Sequence, residues 1–125
     1  MPSFALHHVQ VTIPVGGEDR ARAFYGGVLG LTEVAKPPEL ATRGGCWFRS
    51  GSLELHLGAE DPFLPARRAH PGILVSDGFD EVLEAMQQAG VEAVPDSNFP
   101  GFRRVYVNDP FGNRLELLSP LPDPS

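Results

Sequence analysis

Residues 6 to 13, LHHVQVTI, alternate strictly. Val9, Val11 and Ile13 fall on one face and His8, Gln10 and Thr12 on the other, the pattern of a half-buried strand. The next stretch, GEDRARAFYGGVLG, changes period. Ala21, Phe24, Tyr25 and Val28 recur at helical spacing, Glu18 and Asp19 suit the positive start of a helix, and Gly26 and Gly27 weaken its end. LTEVA then reads as a strand and PPELATRGG as a loop. CWFRSGSLELHLG reads as two strands meeting at a tight turn over Ser50, Gly51 and Ser52.

After the linker AEDPFLPARRA the order begins again. HPGILVS predicts a strand. DGFDEVLEAMQQAG predicts a helix with Phe79, Val82, Leu83 and Met86 on one stripe and Gly90 at its C-terminal stop. VEAV, RRVYVND and NRLELL follow as strands, the last two joined by PFG, and the DPFGN segment reads as a hairpin turn with no chemistry of its own. Glu54 and Glu116 are separated by the same number of positions as His8 and His70, and Gly30 and Gly90 each close a helix before a strand. The chain therefore predicts an α+β fold of two βαβββ modules, about 4–58 and 70–119, in one domain. A half of this size exposes too much apolar surface to stand comfortably alone, so the halves are expected to pack on each other or on a second chain. The Pro-rich tail, 120–125, is expected to fray.

Period-two geometry sorts the polar side chains. His8 lies opposite Val9 and Val11. Glu54 and His56 lie opposite Leu53, Leu55 and Leu57; His70 lies opposite Ile73 and Val75; and Glu116 lies opposite Leu115 and Leu117. Trp47 and Arg49 are set against Phe48, and Arg104 and Tyr106 against Val105 and Val107. The apolar faces must cover the helices, so the groups on the other face line the interior of a cup if two curved sheets form one.

Two imidazoles and two carboxylates from repeat-related positions suit a five- or six-coordinate divalent ion such as Ni, Co, Zn, Mn or Fe(II). Two carboxylates brought together without a cation would repel and raise a pKa; a cation resolves the conflict. The expected ligands are His8, Glu54, His70 and Glu116. His56 competes with Glu54, but residues two apart on a strand are roughly 6.6 Å apart, too far for both to be equal ligands. Only Glu54 has a repeat mate, so Glu54 is favoured as the ligand and His56 is a wall group or a substitute ligand. Trp47, Arg49, Arg104 and Tyr106 complete the expected substrate pocket, the arginines suiting an anionic ligand. His7 reads as a solvent or dimer-face residue.

Composition narrows the setting. The chain has 125 residues, 42% of them hydrophobic, and a net charge of −6 with scattered Lys and Arg, which excludes the clustered basic face that nucleic acid requires. Its single cysteine, Cys46, cannot form an intrachain disulfide, so a reducing, cytoplasmic location is expected. No apolar run approaches the roughly 20 residues that span a bilayer, and no export signal is legible.

The segments HHVQVTI, ARAFYGGVLGL, LELHLG, HPGILV and, above all, YVNDPFGNRLELL resemble the vicinal oxygen chelate superfamily, which includes glyoxalase I, bleomycin-resistance proteins, fosfomycin-resistance enzymes and extradiol dioxygenases. The resemblance spans about residues 6 to 119. It implies paired βαβββ modules around a metal, often completed across a homodimer. It places ligands at His8, His70 and Glu116, with Glu54 as the fourth if the glyoxalase I pattern holds.

Three functions follow as expectations. The first is a metal-dependent enzyme, of lyase or isomerase type, acting on a small substrate chelated through vicinal oxygens, with Glu116 or Glu54 shuttling the proton. The second is a metal-free binding protein with an aromatic pocket. The third is an Fe(II) dioxygenase using His8, His70 and Glu116.

Overall fold

The computed structural model describes residues 1–122; of the tail expected at 120–125, positions 123–125 lie outside the described residues. The chain divides into two compact units, Met1–Leu64 and Pro65–Ser125.

In the first unit, strand β1 (Val9–Pro14) leads into helix α1 (Glu18–Ala21), which continues as a π-helical segment, Arg22–Val28. Strands β2 (Thr32–Val34), β3 (Cys46–Ser50) and β4 (Leu53–Glu60) complete the module. The four strands form one sheet in the order β1-β4-β3-β2, with β1 parallel to β4 and the remaining neighbours antiparallel.

The π winding differs from the regular helix that the apolar spacing predicts. It is marked by the Leu29 amide donating to the Phe24 carbonyl, five residues back, at 2.9 Å, and it contains Gly26 and Gly27, which leave the backbone free to unwind. Phe24 and Tyr25 are both buried there, and the Tyr25 ring stands 5.9 Å from that of Phe48. The segment expected to be an unorganised loop instead carries a 3-10 helix, Pro38–Arg43. Pro38 can start such a turn because the first helical positions need no amide donor.

In the second unit, β5 (Gly72–Leu74), helix α2 (Phe79–Gln88), β6 (Val94–Asp96), β7 (Phe102–Asn108) and β8 (Arg114–Pro120) repeat the plan. Their sheet order is β5-β8-β7-β6, with β5 parallel to β8. The strand expected at 91–94 begins three residues late, because its pairing partners on β7 run from Tyr106 to Arg104 and take Val94, Pro95 and Asp96 opposite them. Pro95 fits only because β6 is an edge strand. Pro120 closes β8 and the Leu121 amide is bonded to the Gly101 carbonyl at 2.9 Å, so the start of the expected fraying tail is held in place.

Each sheet buries one face under its own helix. In the first unit Val11, Ile13, Cys46, Phe48, Leu55 and Leu57 are buried, and in the second Ile73, Val105, Val107, Leu115 and Leu117 are, with Phe79 and Met86 from α2. Each such side chain contributes roughly 1.5 to 3 kcal/mol. Covering these faces leaves the alternate, polar positions on the other side of each sheet, which is how the sequence pattern positions the site.

The DPFGN turn is more than a hairpin. Asp109 accepts hydrogen bonds from the Phe111 and Asn113 amides, each 2.9 Å, and from the Asn113 side-chain amide at 2.9 Å. Asn113, fully buried, accepts from the Ala66 amide at 2.8 Å, and the Arg114 amide donates to the Ala66 carbonyl at 2.8 Å. This buried polar cluster fastens the end of the linker to the start of β8.

Candidate functional site

The polar face of the second unit brings three expected residues into contact around Glu116, which is only 6% exposed. Glu116 sits opposite Gly72 on β5 and Tyr106 on β7. His70 reaches it from just before β5, with Nε2 3.0 Å from Oε1, while Arg104 donates from Nη1 to Oε2 at 3.2 Å. Arg104 also donates from Nη2 to Asp96 at 3.1 Å, so one guanidinium joins β6, β7 and β8. The Asn98 amide and then Arg104 hold the Asp96 carboxyl below the usual carboxylate range. Tyr106 presents its ring edge-on to His70, with centroids 5.7 Å apart, and lies under Arg104 at 5.1 Å and Arg114 at 5.0 Å.

The protons of His70 follow from its neighbours. Nδ1 is 2.7 Å from the Arg68 carbonyl, which can only accept, so Nδ1 carries a proton. Nε2 of the neutral ring is then an unprotonated nitrogen facing a carboxylate oxygen. That pairing repels unless a second proton or a cation lies between the two atoms. An imidazole held through Nδ1 by a backbone carbonyl, beside a carboxylate whose far oxygen is bonded to arginine, is the support that metal ligands characteristically receive. Two ligand atoms each about 2.1 Å from one ion and at right angles stand about 3 Å apart. The donor set and spacing of His70 and Glu116 therefore fit a divalent ion.

The first unit arranges the corresponding residues differently. Arg49 directs Nε and Nη2 to Glu54 Oε1, each at 2.7 Å, and His56 Nε2 stands 3.4 Å from Glu54 Oε2. Arg49 holds the Glu54 carboxyl below its ordinary range. His56 is buried and lies flat on Trp47, with centroids 3.7 Å apart and planes within 1°, and His8 stacks on His56 at 4.2 Å. Burial pushes the His56 pKa down, against the pull of Glu54. Among the described residues no hydrogen bond joins His8 to Glu54, so the repeat relation that joins His70 to Glu116 is not matched here. The strand spacing that separates Glu54 from His56 is bridged by their side chains leaning together, and the first-strand imidazole meets His56.

His8 itself is exposed and lies just outside β1, with Nδ1 3.0 Å from Nδ1 of His7. Among the described residues no group of three or more His, Cys, Asp or Glu side chains is gathered to hold a metal ion. The second unit thus brings one imidazole and one carboxylate together. Asp96 and Arg114 escaped the sequence reading: Asp96 lay beyond the predicted end of its strand, whereas Arg114, two residues before Glu116, was legible by simple alternation.

Comparison with known proteins agrees with this architecture. The Glyoxalase/Bleomycin resistance protein/Dioxygenase superfamily is matched over residues 5–117, and the chain belongs to that superfamily. A glyoxalase family protein from Bacillus anthracis is 46% identical, with a TM-score of 0.91 over 97% of this chain and 100% of its own. At lower identity the likeness is one of fold. Lactoylglutathione lyase from Agrobacterium tumefaciens is 23% identical, with a TM-score of 0.71 over 94% of this chain and 95% of its own. A genomically encoded fosfomycin resistance protein from Listeria monocytogenes is 18% identical, with a TM-score of 0.73 over 97% and 96%. No curated protein matched the sequence. No helix among the described residues is long and apolar enough to cross a membrane.

Proposed function

We propose that the chain is a divalent-metal-dependent enzyme of lyase or isomerase type, acting on a small substrate chelated through vicinal oxygens. The observation that carries this reading is the His70 and Glu116 pair, with Nε2 and Oε1 3.0 Å apart and each group held from behind, by the Arg68 carbonyl and by Arg104. His70 and Glu116 would hold the ion; His8, a ligand expected from the sequence, lies exposed in the other unit. Glu54, with both oxygens engaged by Arg49 and His56 in its own unit, would not serve as the fourth ligand expected from the sequence.

A bound divalent ion supplies Lewis acidity to the substrate oxygens. Arg104 occupies Oε2 of Glu116, so Oε1, the oxygen that faces His70 and would hold the ion, would have to leave it to take and return a proton at the substrate carbon. Tyr106, edge-on to His70, would supply flat apolar surface that excludes water. A homodimer in the cytoplasm is part of the same reading; the single buried cysteine is compatible with a reducing compartment.

Elemental analysis of protein purified without chelator tests the proposal. About one equivalent of a divalent ion per chain is expected in the natural sequence, lost in Glu116→Ala and in His70→Ala. Full occupancy in Glu116→Ala would overturn the site assignment.

One observation favours a second reading. Glu54 and Glu116 each already face an arginine in their own unit, so no metal is needed to offset their charge. In that reading the chain is a metal-free small-molecule-binding protein with an aromatic pocket. Natural protein that stays empty after exposure to Ni, Zn, Mn and Fe(II) would favour it.

A further inference from the structure

Two arginines share the polar face of the second sheet, and they are in opposite states. Arg104 is spent: its two terminal nitrogens are bonded to Asp96 and Glu116, and its Nε is shielded without a partner. Arg114 is exposed, and among the described residues it has no carboxylate partner. Its guanidinium rests 5.0 Å from the centre of the Tyr106 ring, which steadies the side chain while leaving its planar fork of donors open to solvent. Arg114 precedes Glu116 by two residues on β8, so both side chains point to the same face about 6.7 Å apart along the strand. Arg49 in the other unit is spent like Arg104, both of its bonds going to Glu54.

We infer that Arg114 binds an anionic group of the substrate, and that the substrate class is a small molecule carrying vicinal oxygens at one end and a carboxylate, or an oxyanion of similar shape, at the other. The inference rests on the metal-dependent reading above and adds to it the residue that sets specificity. The charge balance points this way. Arg104 and His70 already surround Glu116, whereas the charge of Arg114 has no carboxylate counterpart among the described residues. A planar guanidinium that is fixed by a ring and still hydrated can take a carboxylate through two parallel hydrogen bonds at modest desolvation cost. Two residues of strand, about 6.7 Å along the backbone, separate Arg114 from Glu116, a spacing that a six-membered ring or a chain of similar length spans.

The test compares catechol with 3,4-dihydroxybenzoate, which share the same vicinal oxygens and differ by one carboxylate. Each is titrated calorimetrically into Zn(II)-loaded natural protein and into the Arg114→Gln and Arg114→Lys variants. The carboxylate should tighten binding at least about tenfold in the natural protein. That ratio should fall to about one in Arg114→Gln and recover partly in Arg114→Lys. Equal affinity for the two ligands in the natural protein, or a ratio that survives Arg114→Gln, would overturn the assignment to Arg114 while leaving the metal reading in place. Binding of neither ligand would overturn both.

Discussion

The two units carry the same strand order and the same parallel pairing of first and last strands, yet they spend their polar faces differently. In the second unit a histidine and a glutamate meet at 3.0 Å with their remaining hydrogen-bonding atoms directed to a carbonyl and to an arginine. In the first unit the glutamate is bound to an arginine across the strand pair, and His56 is stacked on Trp47 with His8 stacked on His56. A repeat of backbone plan therefore does not carry a repeat of chemistry. Side-chain partners one strand away decide what each carboxylate can do, and these partners differ between the halves.

The contrast can be broken first at the backbone. Gly45 and Gly101 each stand immediately before the third strand of their unit, and both have positive φ, 83° and 86°. A Cβ on Gly45 would run into the Leu57 carbonyl, whereas one on Gly101 would meet nothing within 4 Å. Gly45→Ala should cost at least about 3 kcal/mol. Gly101→Ala should cost only the left-handed backbone term, about 1 to 2 kcal/mol. Urea unfolding midpoints of the two variants check this difference, and equal losses would show that the close approach at Gly45 is relieved by movement.

The next expected effect separates the two arginines. Arg104→Met removes the support of Glu116 Oε2 and should weaken divalent-ion affinity about 10- to 100-fold, the usual consequence of losing an outer partner of a ligand. Arg49→Met removes the equivalent support from Glu54, which this account leaves outside the ligand set, and should change ion affinity less than about threefold. Competition titration with a metal indicator measures both.

The smallest effect is one of pH. Burial lowers the His56 pKa in the folded chain, so the unfolded chain, with an ordinary imidazole near pH 6.5, binds the proton more readily. Stability is then fully present above that pH and declines as pH falls from about 7 toward 5. His56→Phe keeps a flat ring on Trp47 and removes the titration, so its thermal midpoint should vary less over that interval than that of the natural chain. An unchanged slope would assign the dependence to other groups.

Much of the architecture could be read from periodicity. Alternation placed Glu54, His56, Trp47 and Arg49 on the face away from the helix, and the same holds for Glu116, Arg104 and Tyr106, because a strand with one buried face leaves its side chains no choice. The boundaries were less legible. The VEAV segment looks like a strand by composition, but pairing with β7 selects Val94, Pro95 and Asp96. The π-helical segment and the 3-10 turn depend on hydrogen bonding that apolar spacing does not encode. The site shows the same limit. Equal spacing paired Glu54 with Glu116, but spacing along one strand is silent about the neighbour across the sheet, and that neighbour ties Glu54 to Arg49 while His70 reaches Glu116. DPFGN read as a turn because its sequence favours one; that Asn113 is buried, held by Asp109, and accepts from the Ala66 amide depends on a linker distant in sequence.

The central claim is that Glu116, and not its repeat mate Glu54, is the carboxylate that holds the ion. The direct measurement is the dissociation constant for Zn(II), by competition titration, of Glu116→Gln beside Glu54→Gln, with the fold of each checked by circular dichroism. The account predicts a loss of affinity of about 100-fold or more in Glu116→Gln and a change below about threefold in Glu54→Gln. Equal losses in the two variants, or a loss confined to Glu54→Gln, would contradict it.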